Sequence, residues 1–313
     1  MRGRTVDVPE AVRLKAMARG AEGRLWLDRL GALIHELERA WGVTVGSTLQ
    51  GGSESYVAAA RTRVGGDAVV KLEMPPYASF PGEVRTLAAA EGRGYVRLLE
   101  HDEERYAMLQ ERLGPSLRGF GLPVPNQIEI LCATLQRAWE VPAPAGLSTG
   151  ADKARWLSDF IAATWEETNR PCSRRVIEQS LAFAENREAA FDPATAVLVH
   201  GDAHSANALQ DPKHKSAPAR FKLVDPDGLL AEPAYDLAIP MREWSGELLE
   251  GDAVRLGRAR CAYLSRLTGV GPGAIWEWGL VERVSTGLLA THVGADRLGR
   301  EMLEVAEVWA GSA

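Results

Sequence analysis

Val197-Leu198-Val199-His200-Gly201-Asp202-Ala203-His204-Ser205-Ala206-Asn207-Ala208-Leu209 is followed, after a polar stretch, by Leu223-Val224-Asp225-Pro226-Asp227-Gly228. Each segment is an apolar, strand-like run that delivers a carboxylate at its end. The first also delivers an Asn five residues beyond its Asp. These are the side chains that phosphoryl transfer uses. Asp202 can take the hydrogen bond of an attacking hydroxyl, while Asn207 and Asp225 offer the oxygen donors that magnesium prefers. At average residue usage the His/Asp/Asn triplet arises by chance in roughly one chain in a hundred of this length, and the second Asp-ended run lowers those odds further.

Working outward, residues 9–41 carry apolar residues at helical intervals (Val12, Leu14, Met17, then Leu25 to Trp41), and Gly42 ends the pattern. From Val43 to Leu72 the texture becomes β-like, in the runs Val43–Leu49, Tyr56–Arg63 and Asp67–Leu72, with Gly65-Gly66 as a tight hairpin turn. Pro81 suits the start of a helix carrying Glu83, Leu87 and Ala90. Two further strands are expected near 96–99 and 106–110, before the extended connector Glu111-Arg112-Leu113-Gly114-Pro115. Beyond it, residues 126–140 and 152–190 read as helices, and no strand is expected until 194–200. The two motif runs are then expected to form one hairpin with Asp202 and Asp225 at its ends, ahead of a helical tail from 233 to 313 with breaks at Gly251 and Gly269–Gly273. The layout is α+β and bilobal: an N-lobe over 1–110, a hinge over 111–115 and a C-lobe over 116–313.

With 46% hydrophobic and 25% charged residues the composition is that of an ordinary globular protein, and 313 residues suffice for two cores. No apolar stretch has the length of a membrane span, and the start lacks a signal-peptide core, so no membrane partner is expected. Cys132, Cys172 and Cys261 are odd in number and far apart, which suggests reduced thiols in the cytoplasm rather than disulfides or a zinc site. A formal net charge of −6 argues against general nucleic-acid binding.

The order His-x-Asp-x-x-x-x-Asn, then a metal-binding Asp, is that of a kinase catalytic loop. Val-His-Gly-Asp-x-His-x-x-Asn-x-Leu, Val-Asp-Pro-x-Gly-Leu and Pro-Ala-Tyr-Asp-Leu-Ala together resemble the aminoglycoside phosphotransferase family, in the branch of streptomycin 6-phosphotransferases and hydroxyurea phosphotransferases. Gly51-Gly52-Ser53-Glu54-Ser55-Tyr56-Val57, Val70-Lys71-Leu72 and Gly92-Arg93-Gly94-Tyr95-Val96-Arg97-Leu98-Leu99 are similar to that branch too, in family order. The resemblance implies a protein-kinase-like fold, with a small N-terminal antiparallel sheet lobe and a larger, mainly helical C-terminal lobe.

The resemblance and the residue chemistry together nominate a site. Asp202 is the catalytic candidate; its bland alternative is a turn-capping Asp. Asn207 and Asp225 are the magnesium candidates, each otherwise an ordinary turn or strand-end residue. Lys71, a lysine inside an apolar run, is costly to bury without a partner. Glu83 is its natural partner (Glu73 is also close), and the pair would hold the α- and β-phosphates; the alternative is a lysine snorkelling from a strand edge. Ser53 and Ser55 stand at the phosphate-loop position, and the backbones of Glu111 and Leu113 would read the adenine edge. The resemblance makes His200 and Asp236 structural supports of the loop. His204 (close to Asp202), Glu243 and Glu277 (in the polar-aromatic stretch of the tail) are candidates for acceptor contact, with a solvent-facing side chain the alternative for His204. Asp227, where the branch often has Lys, could reach a metal or the acceptor, or be an exposed loop residue. Trp276 and Trp278 would suit a sugar ring but have core spacing.

The expected function is transfer of the γ-phosphoryl group of ATP, with Mg²⁺, to a hydroxyl of a small molecule, a cationic one being compatible with the net charge. By resemblance that acceptor is an aminoglycoside such as streptomycin. The rivals are a kinase of a metabolic sugar or amino alcohol, and a non-catalytic nucleotide-binding pseudokinase.

Overall fold

The computed structural model describes residues 6–50, 55–76, 79–214 and 220–312. The chain divides into two units, Met1–Gly114 and Pro115–Ala313.

The first unit opens with α1 (Glu10–Ala18) and α2 (Gly20–Trp41). They meet at Gly23, where a Cβ would lie 1.8 Å from the Ala16 carbonyl oxygen, so only glycine permits the contact. Along α2, Trp26, Leu30, Ile34 and Leu37 recur at helical spacing and are all buried. Each contributes up to about 2 kcal/mol of burial free energy, an upper estimate for side chains of this size. Gly42, at φ +63°, ends the helix in the left-handed conformation that glycine adopts freely. The strands β1 (Val43–Thr48), β2 (Ser55–Thr62) and β3 (Asp67–Glu73) follow, then α3 (Phe80–Ala90), β4 (Leu98–Asp102) and β5 (Ala107–Glu111). They form one antiparallel sheet in the order β1-β2-β3-β5-β4. Val70, Leu72 and Met74 join the core beneath α2. Side chains alternate along a strand, so Lys71 between Val70 and Leu72 points to the opposite face.

The second unit begins with a 3-10 turn (Leu117–Phe120) and α4 (Val124–Trp139), β6 (Ser148–Thr149), α5 (Gly150–Glu167) and α6 (Arg174–Ala189). A Thr149–Asp152 capping box starts α5. Next come β7 (Val197–Val199), β8 (Ala208–Gln210), β9 (Phe221–Leu223) and β10 (Leu229–Ala231), then α7 (Ala234–Arg242), α8 (Ser245–Leu249), α9 (Ala253–Thr268), α10 (Pro272–His292) and α11 (Asp296–Ala310). The central helix is α10, buried around most of its circumference, with Trp276 and Trp278 in the core. Gly279 lets α7 approach: a Cβ there would lie 2.9 Å from that of Met241.

The pairing corrects one expectation. The runs around 197–199 and 221–223 do not pair with each other. β7 pairs with β10, which also pairs with β6, while β9 pairs with β8. The hairpin therefore carries Asn207 and Asp225 at its open end, and Asp202 comes from the exit of a separate sheet. Three-residue strands are too short for periodicity to reveal their partners. Among the described residues, no helix is long and apolar enough to cross a membrane.

Candidate active site

β7 runs into His200-Gly201-Asp202, and buried hydrogen bonds hold this turn. Asp236, in the first turn of α7, accepts from the backbone N–H groups of His200 (3.0 Å) and Gly201 (2.8 Å) and from the Trp139 indole N–H (2.9 Å). A carboxylate at a helix N-terminus also suits the helix dipole. Burial nevertheless pushes the Asp236 carboxyl up from its ordinary range, against the pull of His200 and these donors. Gly201 sits at φ +94°, and a Cβ on it would lie 2.8 Å from that of Asp227, so both conformation and space require glycine.

His200 ties the turn to the exit of β9. Its Nδ1 accepts the Asp202 backbone N–H at 3.0 Å, so Nε2 carries the ring proton and donates to the Val224 carbonyl at 2.8 Å. The same neighbourhood collects Asn207. Its backbone carbonyl accepts from Val224 N–H at 2.9 Å, and its side-chain Nδ2 donates to the Asp202 carbonyl at 3.1 Å. The amide thus spends an N–H on the loop. Asp225 follows at φ 57°, a left-handed conformation that Asp tolerates better than most residues, and it is exposed.

The Asp202 side chain is held by two neighbours. Arg242, the last residue of α7, donates Nη2–H to Oδ1 of Asp202 and Nη1–H to Oε2 of Glu282 at 2.6 Å. Glu282 Oε1 in turn accepts the Tyr235 hydroxyl at 2.7 Å. His204 Nε2 lies 3.5 Å from Asp202 Oδ2. Burial would push the Asp202 carboxyl up, but neighbouring positive charge, Arg242 foremost, outweighs it and holds the group below its ordinary value. Burial also opposes the charge on Arg242, yet Glu282 and Asp202 raise its pKa overall. His204 is shifted down, chiefly by burial against the opposing pull of Asp202 and Glu243.

Two further arginines clasp the end of α7 and so support Arg242. Arg260 donates to the carbonyls of Pro240 (3.3 Å) and Glu243 (2.7 Å), and Arg283 donates to that of Met241 at 2.6 Å. Cations on the last carbonyls of a helix are favourable. Arg283 is completely buried, with the Met241 carbonyl and the Ser245 hydroxyl as hydrogen-bond partners, and burial brings its pKa down to about 9.

In the first unit, Lys71 is 4% exposed and bonds both oxygens of Glu83, at 2.7 and 2.9 Å. It also pairs with Glu73 at 2.7 Å. Both glutamates are buried, so one ammonium serves two carboxylates.

Residues 40–294 match the sequence profile of the aminoglycoside/hydroxyurea antibiotic resistance kinases. The chain belongs to that family. It is 30% identical over 287 residues to a streptomycin 6-kinase of Streptomyces glaucescens (88% of each chain), and 28% identical over 287 residues to a hydroxyurea phosphotransferase of Kitasatospora aureofaciens (88% of this chain, 81% of the relative). Solved structures share the fold. Choline kinase LicA from Streptococcus pneumoniae superposes with a TM-score of 0.62 at 15% identity, over 91% of this chain and 100% of that one. A thermostable mutant of aminoglycoside phosphotransferase APH(4)-Ia, in ternary complex with AMP-PNP and hygromycin B, gives 0.60 at 15% identity, over 90% and 98%. The fold is therefore protein-kinase-like, and this family member is a phosphotransferase with an alcohol group as acceptor.

Within this kinase the other nominated residues fall into groups. Glu243 follows Arg242 and pairs with Arg118 at 3.3 Å, and Arg118 also donates to Ser205, so Glu243 lies close to the loop that carries Asp202. Glu277 makes its contacts elsewhere, with Arg187 (2.6 Å) and Asn186 of α6. Ser55 begins β2, buried and in register with Glu73. Ser53 lies outside the described residues, as do Gly51, Gly52 and Glu54. Glu111 and Arg97 exchange bonds, with the Glu111 N–H on the Arg97 carbonyl and the Arg97 N–H on Glu111 Oε1, both 2.9 Å. Leu113 is buried. Sequence reasoning missed Arg242. Its one signal was position: Tyr235 and Arg242 stand two helical turns apart, on one face of a helix that starts with the family's Pro-Ala-Tyr-Asp.

Proposed function

We propose that this kinase transfers the γ-phosphoryl group of ATP to a hydroxyl of a streptomycin-like aminoglycoside, in the cytoplasm. The observation that carries the reading is the ionised, doubly held carboxylate of Asp202 beside the hairpin end that presents Asn207 and Asp225. Lys71, oriented by Glu83, holds the α- and β-phosphates, Ser53 and Ser55 contribute to the phosphate loop, and the backbones of Glu111 and Leu113 read the base. Three buried cysteines without disulfides fit a reducing compartment.

The donor set suits magnesium. Among the described residues no group of three or more His, Cys, Asp or Glu side chains is arranged to hold a metal. Asn207 and Asp225 would hold a cation through an amide oxygen and a carboxylate, a donor set that suits magnesium better than zinc. Magnesium bound there offsets the negative charge on the phosphate oxygens.

Asp202 accepts the hydrogen bond of the acceptor hydroxyl and aims its oxygen lone pair at the γ-phosphorus. As the new O–P bond forms and the bond to the ADP oxygen breaks, the hydroxyl proton passes to Asp202. A carboxylate held below its ordinary pKa is a weak base, so its main contribution is orientation, with proton acceptance late in the transfer. His200 and Asp236 hold the loop and move no proton.

A screen of ADP production over streptomycin, other aminoglycosides, hydroxyurea, choline and simple sugars tests the reading. Streptomycin should give the highest kcat/KM. Preference for choline or a sugar would reassign the acceptor, and acceptor-independent silence with intact ATP binding would favour a pseudokinase.

A further inference from the structure

Lys153 occupies the first turn of α5, where the helix dipole disfavours a cation. Its ammonium lies 3.4 Å from Asp227 Oδ2, 4.9 Å from the centre of the Trp156 ring and 5.9 Å from that of Tyr235. Asp227 in turn packs on Gly201, the neighbour of Asp202. Tyr235 reaches Asp202 by a second route, through Glu282 and Arg242. An ammonium, a carboxylate and two aromatic faces are thus gathered beside the carboxylate that orients the acceptor. Trp156 is 54% exposed and stacks on Phe160 at 5.3 Å with an interplanar angle of 12°, while the Lys153 ammonium lies over the same ring.

The acids around Asp202 differ in their partners. Asp202 and Glu282 share Arg242, Glu243 has Arg118 and Glu232 has Arg187. Asp227 has a lysine, a point charge on a flexible stem, at a distance and solvent exposure typical of weak pairs.

We propose that Lys153 stands in for a cationic group of the acceptor. Before the acceptor binds, Lys153 neutralises Asp227 and covers Trp156. A guanidinium or ammonium group on the acceptor displaces it, pairs with Asp227 and lies against the Trp156 face. A guanidinium bonds a carboxylate through two parallel N–H groups and stacks on an indole, and Lys153 offers Asp227 neither. Exchange rather than addition keeps the charge beside Asp202 balanced, and an uncharged acceptor gains nothing from it. This deepens the proposed function by assigning two residues of this chain to acceptor selection.

The test is titration calorimetry of streptomycin binding, without nucleotide, to the wild type, Lys153→Met, Asp227→Asn and the double variant, with turnover measured in parallel. Lys153→Met keeps the stem and removes the competitor, so its Kd should fall by about threefold or more, while Asp227→Asn should raise Kd. The gain from Lys153→Met should vanish in the Asp227→Asn background, which general packing damage would not produce. An unchanged or higher Kd in Lys153→Met overturns the exchange and leaves the kinase reading intact if the wild type still phosphorylates streptomycin. Binding with the predicted pattern but no turnover supports the exchange and removes streptomycin as acceptor. Absence of binding to all four proteins overturns both.

Discussion

The Arg242 guanidinium holds the Asp202 carboxylate and the Glu282 carboxylate at once, one through Nη2 and the other through Nη1. The residue proposed to orient the acceptor is therefore fixed by α7 and α10, as well as by its own loop. Glu282 is buried and Arg242 largely so, their side chains 5% and 13% exposed. Breaking a buried pair from one side leaves an uncompensated charge, which costs about 3 kcal/mol or more. Arg242→Met should accordingly lower stability by about that amount in urea or thermal unfolding. Adding Glu282→Gln removes the orphaned charge but keeps an acceptor for the Tyr235 hydroxyl, so most of the stability should return while turnover stays low. Recovery of both together would make Arg242 purely structural.

The pH dependence has a definite sign. In the proposed mechanism Asp202 works ionised, and its carboxyl is held below the ordinary value because its positive neighbours, Arg242 foremost, together outweigh the effect of burial. A carboxyl depressed by folding adds stability above its unfolded pKa of about 3.9 and loses that contribution as pH falls through the folded value. Activity follows the same limb. In Arg242→Met/Glu282→Gln the burial effect loses its main opponent, and the acid limb of kcat/KM should move to higher pH. An acid limb that stays where the wild type has it would mean that Arg242 does not set the charge on Asp202.

Much of this was legible in the sequence, and the reasons are local. Asp202, Asn207 and Asp225 stand at ends of apolar runs, where an Asp or Asn has few structural duties, and Lys71 is conspicuous because lysine is scarce in strands that bury both faces. The helical leader was equally plain, since Trp26, Leu30, Ile34 and Leu37 repeat over several turns. Arg242 was not legible: a basic residue in the last turn of a helix is commonplace, and only the packing of α7 on α10 reveals two carboxylates around it. The partners of β7 and β9 were hidden for another reason. Three-residue strands carry no period, and the two-residue β6 sits in a loop rich in Pro, Ala and Gly.

Lys71 carries the charge balance of the first unit's nominated cluster. Lys71→Met leaves Glu73 and Glu83 buried without the cation they share. The KM for ATP should rise by about tenfold or more, the scale of one charged hydrogen bond, and the fold should lose stability as well. Glu83→Gln separates the two effects: folding should be nearly retained while the KM for ATP rises. Steady-state kinetics beside thermal melts would show this, and a Glu83→Gln enzyme with normal KM would detach the pair from the phosphates.

Asp225 is tested through the metal. Asp225→Asn keeps the size and the left-handed turn but removes the charge, so half-maximal activity should require about tenfold more magnesium. An unaltered magnesium requirement would move the ligand to another acid, with Asp227 the first candidate.

The most direct test is phosphorus NMR of a reaction containing ATP, magnesium and streptomycin, with the wild type and with Asp202→Asn. The wild type should build a phosphomonoester signal on streptomycin. Asp202→Asn should build it at least about 100-fold more slowly, with ATP binding little changed. A wild type that forms no such ester, or an Asp202→Asn variant that forms it at the wild-type rate, would contradict the account.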